Sequence, residues 1–175
     1  MAKNITAKMN GVKIAFTGPE SSGKTTMSKW LSEHLSFDFV EEYAREYLSQ
    51  KTDYNREDLN KIAIEQFRRN QASGNLAIDT EMLVMKLWHE EKYNYCSDLI
   101  LELLERQKID FYFLCKPDIP WEVDPLRENP LDRDRLFVKY EETLIEQGFD
   151  YVVLKGTFIE RQEKIIETLQ IKLLR

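Results

Sequence analysis

Apolar and polar residues follow two different spacings along the chain, and these spacings predict strands and helices in alternation. Short segments of five or six residues that are rich in apolar side chains are typical of strands buried in a sheet. Longer segments place apolar residues three or four positions apart, as amphipathic helices do. The alternation predicts a mostly parallel sheet with helices on both faces. The predicted strands are residues 12–17, 37–41, 75–80, 110–115 and 150–154.

Helical spacing fills most of the chain between the predicted strands. One long interval departs from it, because residues 116–132 contain four prolines and proline interrupts both helices and strands. We expect that interval to be irregular. The predicted helices cover residues 24–35, 56–72, 81–95, 97–108 and 158–174, a short helix starts within 42–48, and another ends at Gln147 ahead of Gly148.

The loop after the first strand carries recognisable chemistry. Residues 18–25 read Gly-Pro-Glu-Ser-Ser-Gly-Lys-Thr and fit the G-x-x-x-x-G-K-[ST] pattern of a phosphate-binding P-loop. Backbone N–H groups of such a loop and of the following helix surround a nucleotide's phosphates. Lys24 is expected to reach the β- and γ-phosphates, and the Thr25 hydroxyl to ligate Mg²⁺. The residues predicted to bind ATP are Gly18, Glu20, Ser21, Ser22, Gly23, Lys24, Thr25 and Thr26.

This motif specifies the fold class further. A strand, a glycine-containing loop and a helix in this order are the context that the P-loop requires. We therefore predict a P-loop NTPase fold, a three-layer α/β/α sandwich with a five-stranded sheet and a small lid. The 175 residues suit one domain, which we place at 11–175, with a flexible leader at 1–10 and the lid at about 116–135.

Charged residues follow the second and third predicted strands. Ligands of open α/β sheets lie beyond the carboxyl ends of the strands, so Glu42 and Arg45 are expected near a second substrate. A solvated helix start, with Glu42 placed favourably for the helix dipole, explains the same residues. Asp79 either belongs to the Mg²⁺ shell or accepts the proton of an attacking hydroxyl. Alternatively, Asp79 or Thr80 caps the next helix. The P-loop upstream favours the metal-binding or proton-accepting role of Asp79 over the cap.

The irregular interval and its end contain several arginines. Arg127, Arg133 and Arg135 cluster ahead of the helix that ends at Gln147. Guanidinium groups on a lid spread positive charge over a transferring phosphate. A solvated loop of mixed charge is the alternative, because acidic residues share the segment, but the P-loop favours a lid. The loop at 155–157 is predicted to flank the adenine.

Composition and charge argue against a nucleic-acid partner and a membrane span, and they indicate the cellular compartment. The net charge of −6 argues against a nucleic-acid partner, since phosphate backbones require a basic face. No apolar run approaches the roughly 20 residues of a membrane span. Cys96 and Cys115 form no CxxC pair, which indicates a reduced, cytoplasmic protein. The oligomeric state is not predicted.

Four motifs in the same order resemble the ribosylnicotinamide kinase domain of the bacterial NadR family. The first is the P-loop at 18–25, and the second is Glu-Tyr-Ala-Arg-Glu at 42–46. The third is Ile-Asp-Thr-Glu at 78–81. The fourth motif is a lid entry formed by Trp121, Asp124 and Arg127, with Arg135 following. The resemblance extends from about residue 11 to the end of the chain, and four ordered motifs are far more specific than a P-loop alone.

The resemblance implies transfer of the γ-phosphate of ATP to the 5′-hydroxyl of nicotinamide riboside, giving nicotinamide mononucleotide. By position, the nucleoside would be bound by Glu42, Tyr43 and Arg45. Asp79 would orient or deprotonate the hydroxyl, and Thr25 and Asp79 would hold Mg²⁺. Two positions depart from the family pattern, with Pro125 in place of a glycine and Glu41 in place of an aromatic residue. The catalytic residues implied are Lys24, Asp79, Arg127 and Arg135.

Two other functions fit the sequence. One is a kinase for a different nucleoside, because a P-loop with Glu and Arg after the second strand is common among such enzymes. The other is a regulatory ATPase or switch. The absence of an obvious glutamine or histidine to orient a hydrolytic water weakens the switch.

Overall fold

Five parallel strands form the centre of the molecule. The computed structural model describes residues 10–124 and 131–173, and its sheet has the strand order β2-β3-β1-β4-β5. Every neighbouring pair of strands is parallel. The predicted α/β fold class is therefore confirmed. The strands are β1 (Lys13–Thr17), β2 (Asp38–Val40), β3 (Leu76–Asp79), β4 (Phe111–Cys115) and β5 (Tyr151–Leu154).

Seven helices accompany the sheet in the described residues. Their ends, and those of the strands, lie within three residues of the predicted ones, apart from the start of the sixth helix. That helix already contains Arg133 and Arg135, which we had placed ahead of it. The helices are α1 (Lys24–His34), α2 (Tyr43–Leu48), α3 (Arg56–Arg69), α4 (Met82–Tyr93), α5 (Asp98–Arg106), α6 (Arg133–Glu146) and α7 (Phe158–Leu173).

The sheet is buried on both faces, which explains why its strands are nearly continuous apolar runs. In β1, Ile14 and Phe16 face the side covered by α1 and α7, and Ala15 faces the other side. The Phe16 and Phe113 rings stack with their centroids 5.3 Å apart. The second core contains residues from α3, α4, α5 and α6, among them Leu59, Ile62, Met85, Leu104 and Leu144.

The start of α3 is fixed by a reciprocal capping box. The Asn55 side chain accepts a hydrogen bond from the Asp58 N–H at 3.1 Å, and the Asp58 carboxylate accepts one from the Asn55 N–H at 3.0 Å. Two of the N–H groups that a helix start leaves without partners are thereby satisfied. The helix start predicted at residue 56 is confirmed.

Parallel strands bring their carboxyl ends to one edge of the sheet, and the residues predicted to form the site lie at that edge. The P-loop leaves β1, Glu42 follows β2, and Asp79 ends β3. The segments after β4 and β5 leave the same edge. Within the described ranges, no helix has both the length and the apolar character needed to span a bilayer.

Gly18 joins the P-loop to the sheet through a close backbone contact. Its φ is 129°, and a β-carbon there would lie 2.6 Å from the Cys115 carbonyl oxygen at the end of β4. Because real β-carbons do not approach an oxygen that closely, only glycine fits without moving a strand. The first glycine of the motif is therefore required by its contact with the sheet.

We expect Gly18→Ala to lower the free energy of unfolding more than Gly148→Ala does. Both glycines have left-handed φ values, which cost other residues about 1–2 kcal/mol. However, a β-carbon at Gly148 meets no atom within 4 Å. Urea denaturation at equilibrium measures both losses. Equal losses in the two variants would contradict the close contact with Cys115.

Candidate active site

A cavity of about 500 Å³ opens at the carboxyl edge of the sheet. This volume is in the range of small-molecule sites. The lining comes from the P-loop, from the segment after β2 together with Asp79, and from α4 and α6. Besides residues 18–26, the lining comprises Lys29, Glu41, Glu42, Ala44, Arg45, Asp79, Val84, Leu87, Trp88, Glu91, Lys92, Ile119, Glu122, Asp124, Leu136 and Tyr140.

The P-loop folds around the ammonium group of its own lysine. Lys24 Nζ donates to the carbonyl oxygens of Gly18 at 2.9 Å and Pro19 at 2.8 Å. Helix α1 begins at Lys24 with no side-chain cap and no acidic residue in its first turn. Its N–H groups and dipole therefore remain available to an anion. The Ser22 hydroxyl is buried without a partner in the described structure, so the loop retains polar capacity for a ligand.

Asp79 lies beside Thr25, as the sequence predicted for a shared metal site. The Thr25 side chain hydrogen-bonds to the Asp79 carboxyl group, and Asp79 is 2% exposed. Burial raises the pKa of Asp79, against the hydrogen bond from Thr25 and the positive charges of Lys24 and Arg45. The alternative role as a helix cap is wrong, because Glu81 caps α4 by accepting from the Leu83 N–H at 2.6 Å.

Glu42 and Arg45 form an ion pair within the cavity. Arg45 Nε lies 2.9 Å from Glu42, and Arg45 Nη1 lies 2.7 Å from Asp124. Burial raises the pKa of Glu42 and the negative charge of Asp79 adds to this, whereas Lys24 and Arg45 oppose it. The Glu42 side chain is only 21% exposed. A solvated helix start therefore does not describe it.

Thr25 and Asp79 fit the ligand preferences of Mg²⁺. This ion takes oxygen ligands, and it usually combines one or two protein groups with water and substrate phosphates. Over residues 10–124 and 131–173, no cluster of three or more His, Cys, Asp or Glu could hold a metal ion alone. A site completed by nucleotide phosphates suits this arrangement.

Three predicted site residues are not placed in the cavity. Tyr43 packs against the core with Arg69 4.4 Å above its ring and is not among the lining residues. Arg135 is half exposed and pairs with Glu91 and Asp132 on the surface. Arg127 lies outside the described residues, as does Pro125. The loop at 155–157 does not line the cavity either, and its role at the adenine stays a prediction.

Two arginines outside the P-loop hold its backbone, and sequence reasoning selected neither as a site residue. Arg133 Nη1 donates to the carbonyl oxygens of Ser21 at 2.9 Å and Ile119 at 3.1 Å. Arg161, 2% exposed, donates to the carbonyl oxygen of Ser22 at 2.6 Å and also bonds Asp118. Clustering pointed to Arg133. No sequence signal separated Arg161 from the exposed arginines of an amphipathic helix.

Helix α4 contributes more to the cavity than the sequence suggested. Sequence patterns assigned none of its residues to the site, yet Trp88, Glu91 and Lys92 all line the cavity. Glu91 is held there by Lys139 Nζ at 2.8 Å and by Arg135. These bonds to cations hold the pKa of Glu91 low, at about 2. The helix period alone placed these residues on a face without showing that a cavity lay beside it.

Comparison with known proteins places the chain among P-loop proteins. A protein-family model described as an AAA domain matches residues 13–161, most of the chain. A cytidylate kinase from Streptococcus equi subsp. equi is 31% identical over 80 residues, covering 43% of this chain and 35% of the relative. The trifunctional NAD biosynthesis/regulator protein NadR from Salmonella typhimurium is 24% identical over 173 residues, covering 89% and 42%. The chain thus spans less than half the length of these relatives.

Solved structures give the same fold. A NadR protein in complex with NR superposes with a TM-score of 0.68 at 20% identity, covering 85% of this chain and 44% of that one. A deoxyadenosine kinase from M. mycoides superposes with a TM-score of 0.64 at 14% identity, covering 91% and 98%. The resemblance to NadR that the motifs indicated is confirmed by these matches, and the P-loop fold is shared with nucleoside kinases.

We expect Asp79→Asn to increase thermal stability at neutral pH. A carboxyl group whose pKa is raised by folding favours the folded state when protonated, and that contribution is lost as the pH rises through the pKa. The neutral amide avoids the loss. A gain of about 1 kcal/mol would raise Tm by about 2–4 °C in a chain of this length. Thermal unfolding at pH 8 and pH 5 measures the difference, which should shrink at pH 5.

The exposed Asp53 supplies the control, since Asp53→Asn removes the same charge from the surface. Its Tm should change little at either pH. A Tm for Asp79→Asn at or below the wild-type value at pH 8 would show that the buried carboxylate is not destabilising.

Proposed function

This chain belongs to the AAA domain family, and we propose that it is a kinase for nicotinamide riboside. It transfers the γ-phosphate of ATP to the 5′-hydroxyl of the nucleoside and releases nicotinamide mononucleotide and ADP. One observation carries this proposal: a buried carboxylate, Asp79, adjoins the P-loop within a cavity that continues past it. Such a cavity suits an acceptor that lies beside the γ-phosphate.

The apolar part of the cavity lining suits a nucleoside. Val84, Leu87 and Trp88 from α4 and Leu136 and Tyr140 from α6 contribute it, and aromatic and aliphatic side chains bind flat rings by packing and stacking. Glu42 and Arg45 line the same cavity. Their charged groups are suited to the hydroxyls of a ribose, because hydrogen bonds to ionised groups are the stronger ones.

The charge of the cavity favours nicotinamide riboside among nucleosides. Its pyridinium ring is a cation, unlike the bases of ordinary nucleosides. Acidic side chains outnumber basic ones in the lining, and clefts lined by one sign of charge attract the opposite charge. The solved NadR structure, which holds NR, supports the same substrate. The acidic residues that line the cavity are Glu20, Glu41, Glu42, Asp79, Glu91, Glu122 and Asp124.

The residues divide the work of phosphoryl transfer between positioning and charge. The 5′-oxygen attacks the γ-phosphorus, its proton passes to the Asp79 carboxylate, and the bond from phosphorus to the ADP oxygen breaks. Burial raises the pKa of Asp79, which is the direction that strengthens a general base. Lys24 and the loop amides offset the negative charge of the phosphates. Thr25 and Asp79 would hold Mg²⁺ when it is bound, and the ion would supply positive charge at the phosphate oxygens.

A kinase for another nucleoside is the second candidate. The deoxyadenosine kinase shares the fold over nearly its whole length, and the apolar part of the cavity lining would also accept a purine or pyrimidine ring. Under that candidate the mechanism above is unchanged and only the acceptor differs.

We expect nicotinamide riboside to stimulate ADP release from Mg-ATP more than adenosine, cytidine, deoxyadenosine or deoxycytidine does. The stimulation should be lost in Lys24→Ala, because the phosphates lose their main cationic partner. A coupled ADP assay measures it. Stimulation by one of the other nucleosides would change the substrate, and equal ADP release with and without every acceptor would remove the kinase proposal altogether.

We expect Asp79→Asn to lower kcat about 10²–10⁴-fold, the usual contribution of a positioned acid or base, while ATP binding is largely retained. The amide keeps the size of the side chain but cannot accept the proton. Steady-state kinetics and a fluorescent ATP analogue separate the two effects, and Asp53→Asn is the control. Normal turnover by Asp79→Asn would exclude its role as the base.

A further inference from the structure

Two carboxamide side chains are buried one helical turn apart at the end of α3. Gln66 is 0% exposed and Asn70 is 1% exposed, in a core otherwise built from Leu59, Ile62 and Ala63 of the same helix. Gln66 Nε2 donates to Asn70 Oδ1 at 3.0 Å. Buried polar groups of this kind are costly unless their hydrogen bonds are made, so their other partners show what the pair holds.

Gln66 binds the backbone on both sides of Glu42. Its Oε1 accepts from the Tyr43 N–H at 2.7 Å, and its Nε2 lies 3.3 Å from the Glu41 carbonyl oxygen. Glu42 stands between these two groups, at the start of α2, where its own side chain makes no capping bond. One carboxamide therefore fixes the backbone from which the Glu42 side chain extends into the cavity.

Asn70 binds the backbone just after Asp79. Its Nδ2 lies 3.3 Å from the Thr80 carbonyl oxygen. Thr80 has a φ of 100°, which is a strained value for a β-branched residue. Such strain costs about 1–3 kcal/mol and persists only where the surroundings hold it. The bond from Asn70 is part of what holds this turn and, with it, the direction of Asp79.

The two carboxylates need such support because they repel each other. Glu42 and Asp79 line the same cavity, and two like charges that share a site repel each other. Lys24 and Arg45 offset the repulsion, but Lys24 must also serve the phosphates. Backbone hydrogen bonds from a buried amide pair resist separation without placing any further charge in the site.

We propose that Gln66 and Asn70 are positioning residues that set the spacing between Glu42 and Asp79. Neither lines the cavity, so they act through the backbones of the two acidic residues. The expected kinetic effect rests on the proposed function, because it assumes that Glu42 and Asp79 serve the acceptor and its proton. The expected effect on the backbones of Glu42 and Asp79 does not rest on the proposed function.

The test replaces Gln66 with methionine, which has similar length and no hydrogen-bonding amide. We expect Gln66→Met to lower kcat about 10–100-fold, as loss of supporting hydrogen bonds behind a site does, with the Kd of ATP changed less than about twofold. Asn60→Ala is the matched control, because Asn60 lies on the same helix and accepts a hydrogen bond from Ser97 at 2.8 Å away from the cavity. Its kcat should match the wild type.

Repeating the Gln66→Met substitution in a variant that lacks the Glu42 carboxylate tests whether Gln66 acts through Glu42. If it does, adding Gln66→Met to a Glu42→Gln variant should lower kcat far less than it does in the wild type, because coupled residues are not additive. Full additivity, a kcat unchanged by Gln66→Met, or an equal loss in ATP affinity would each overturn the proposal. If Gln66→Met does not fold, Asn70→Leu is judged by the same measurements.

Amide hydrogen exchange provides a measurement independent of activity. Peptides covering residues 41–48 and 79–84 should exchange faster in Gln66→Met than in the wild type. In Asn60→Ala the exchange rates of the same peptides should be unchanged. Unchanged exchange in Gln66→Met would overturn the positioning role even in an active enzyme. If the wild type phosphorylates no nucleoside, the proposed function fails while the exchange experiment still decides the role of the pair.

Discussion

The site depends on keeping two carboxylates, Glu42 and Asp79, buried and close together beside a loop that receives phosphates. Each carboxylate loses hydration on burial, and the charge of Asp79 adds to the cost at Glu42. Two cations, Lys24 and Arg45, offset this cost. Because the strands that precede or carry these four side chains end at the same edge of a parallel sheet, the fold brings the side chains together before any ligand binds.

That constraint gives the molecule a conflict between stability and chemistry. Burying a neutral amide at position 79 would cost the folded state less free energy than burying the Asp79 carboxylate does. An amide, however, could not accept a proton. Buried ionisable groups with shifted pKa values are common at functional sites for this reason. The capping role that sequence left open for Asp79 falls to Glu81, so helix capping does not explain the burial of Asp79.

Local patterns in the sequence were sufficient for most of the fold and for the centre of the site. The P-loop, Glu42, Arg45 and Asp79 were found because each lies at a fixed distance from a strand end, and strand ends of a parallel sheet converge. Contacts made across the fold left no such signal. The helical patterns over 56–72 and 81–95 did not distinguish Gln66 or Glu91 from other polar positions, because the helix period states which residues share a face but not what packs against it.

Arg161 illustrates the same limit and shows how distant residues shape the P-loop. A trans peptide places the N–H of one residue opposite the C=O of the residue before it. Arg133 holds the Ser21 carbonyl and Arg161 holds the Ser22 carbonyl, so the N–H groups of Ser22 and Gly23 point away from these arginines. The motif supplies a loop that can adopt this shape. The arginines of α6 and α7 fix which way its amides face, and that orientation is what a phosphate requires.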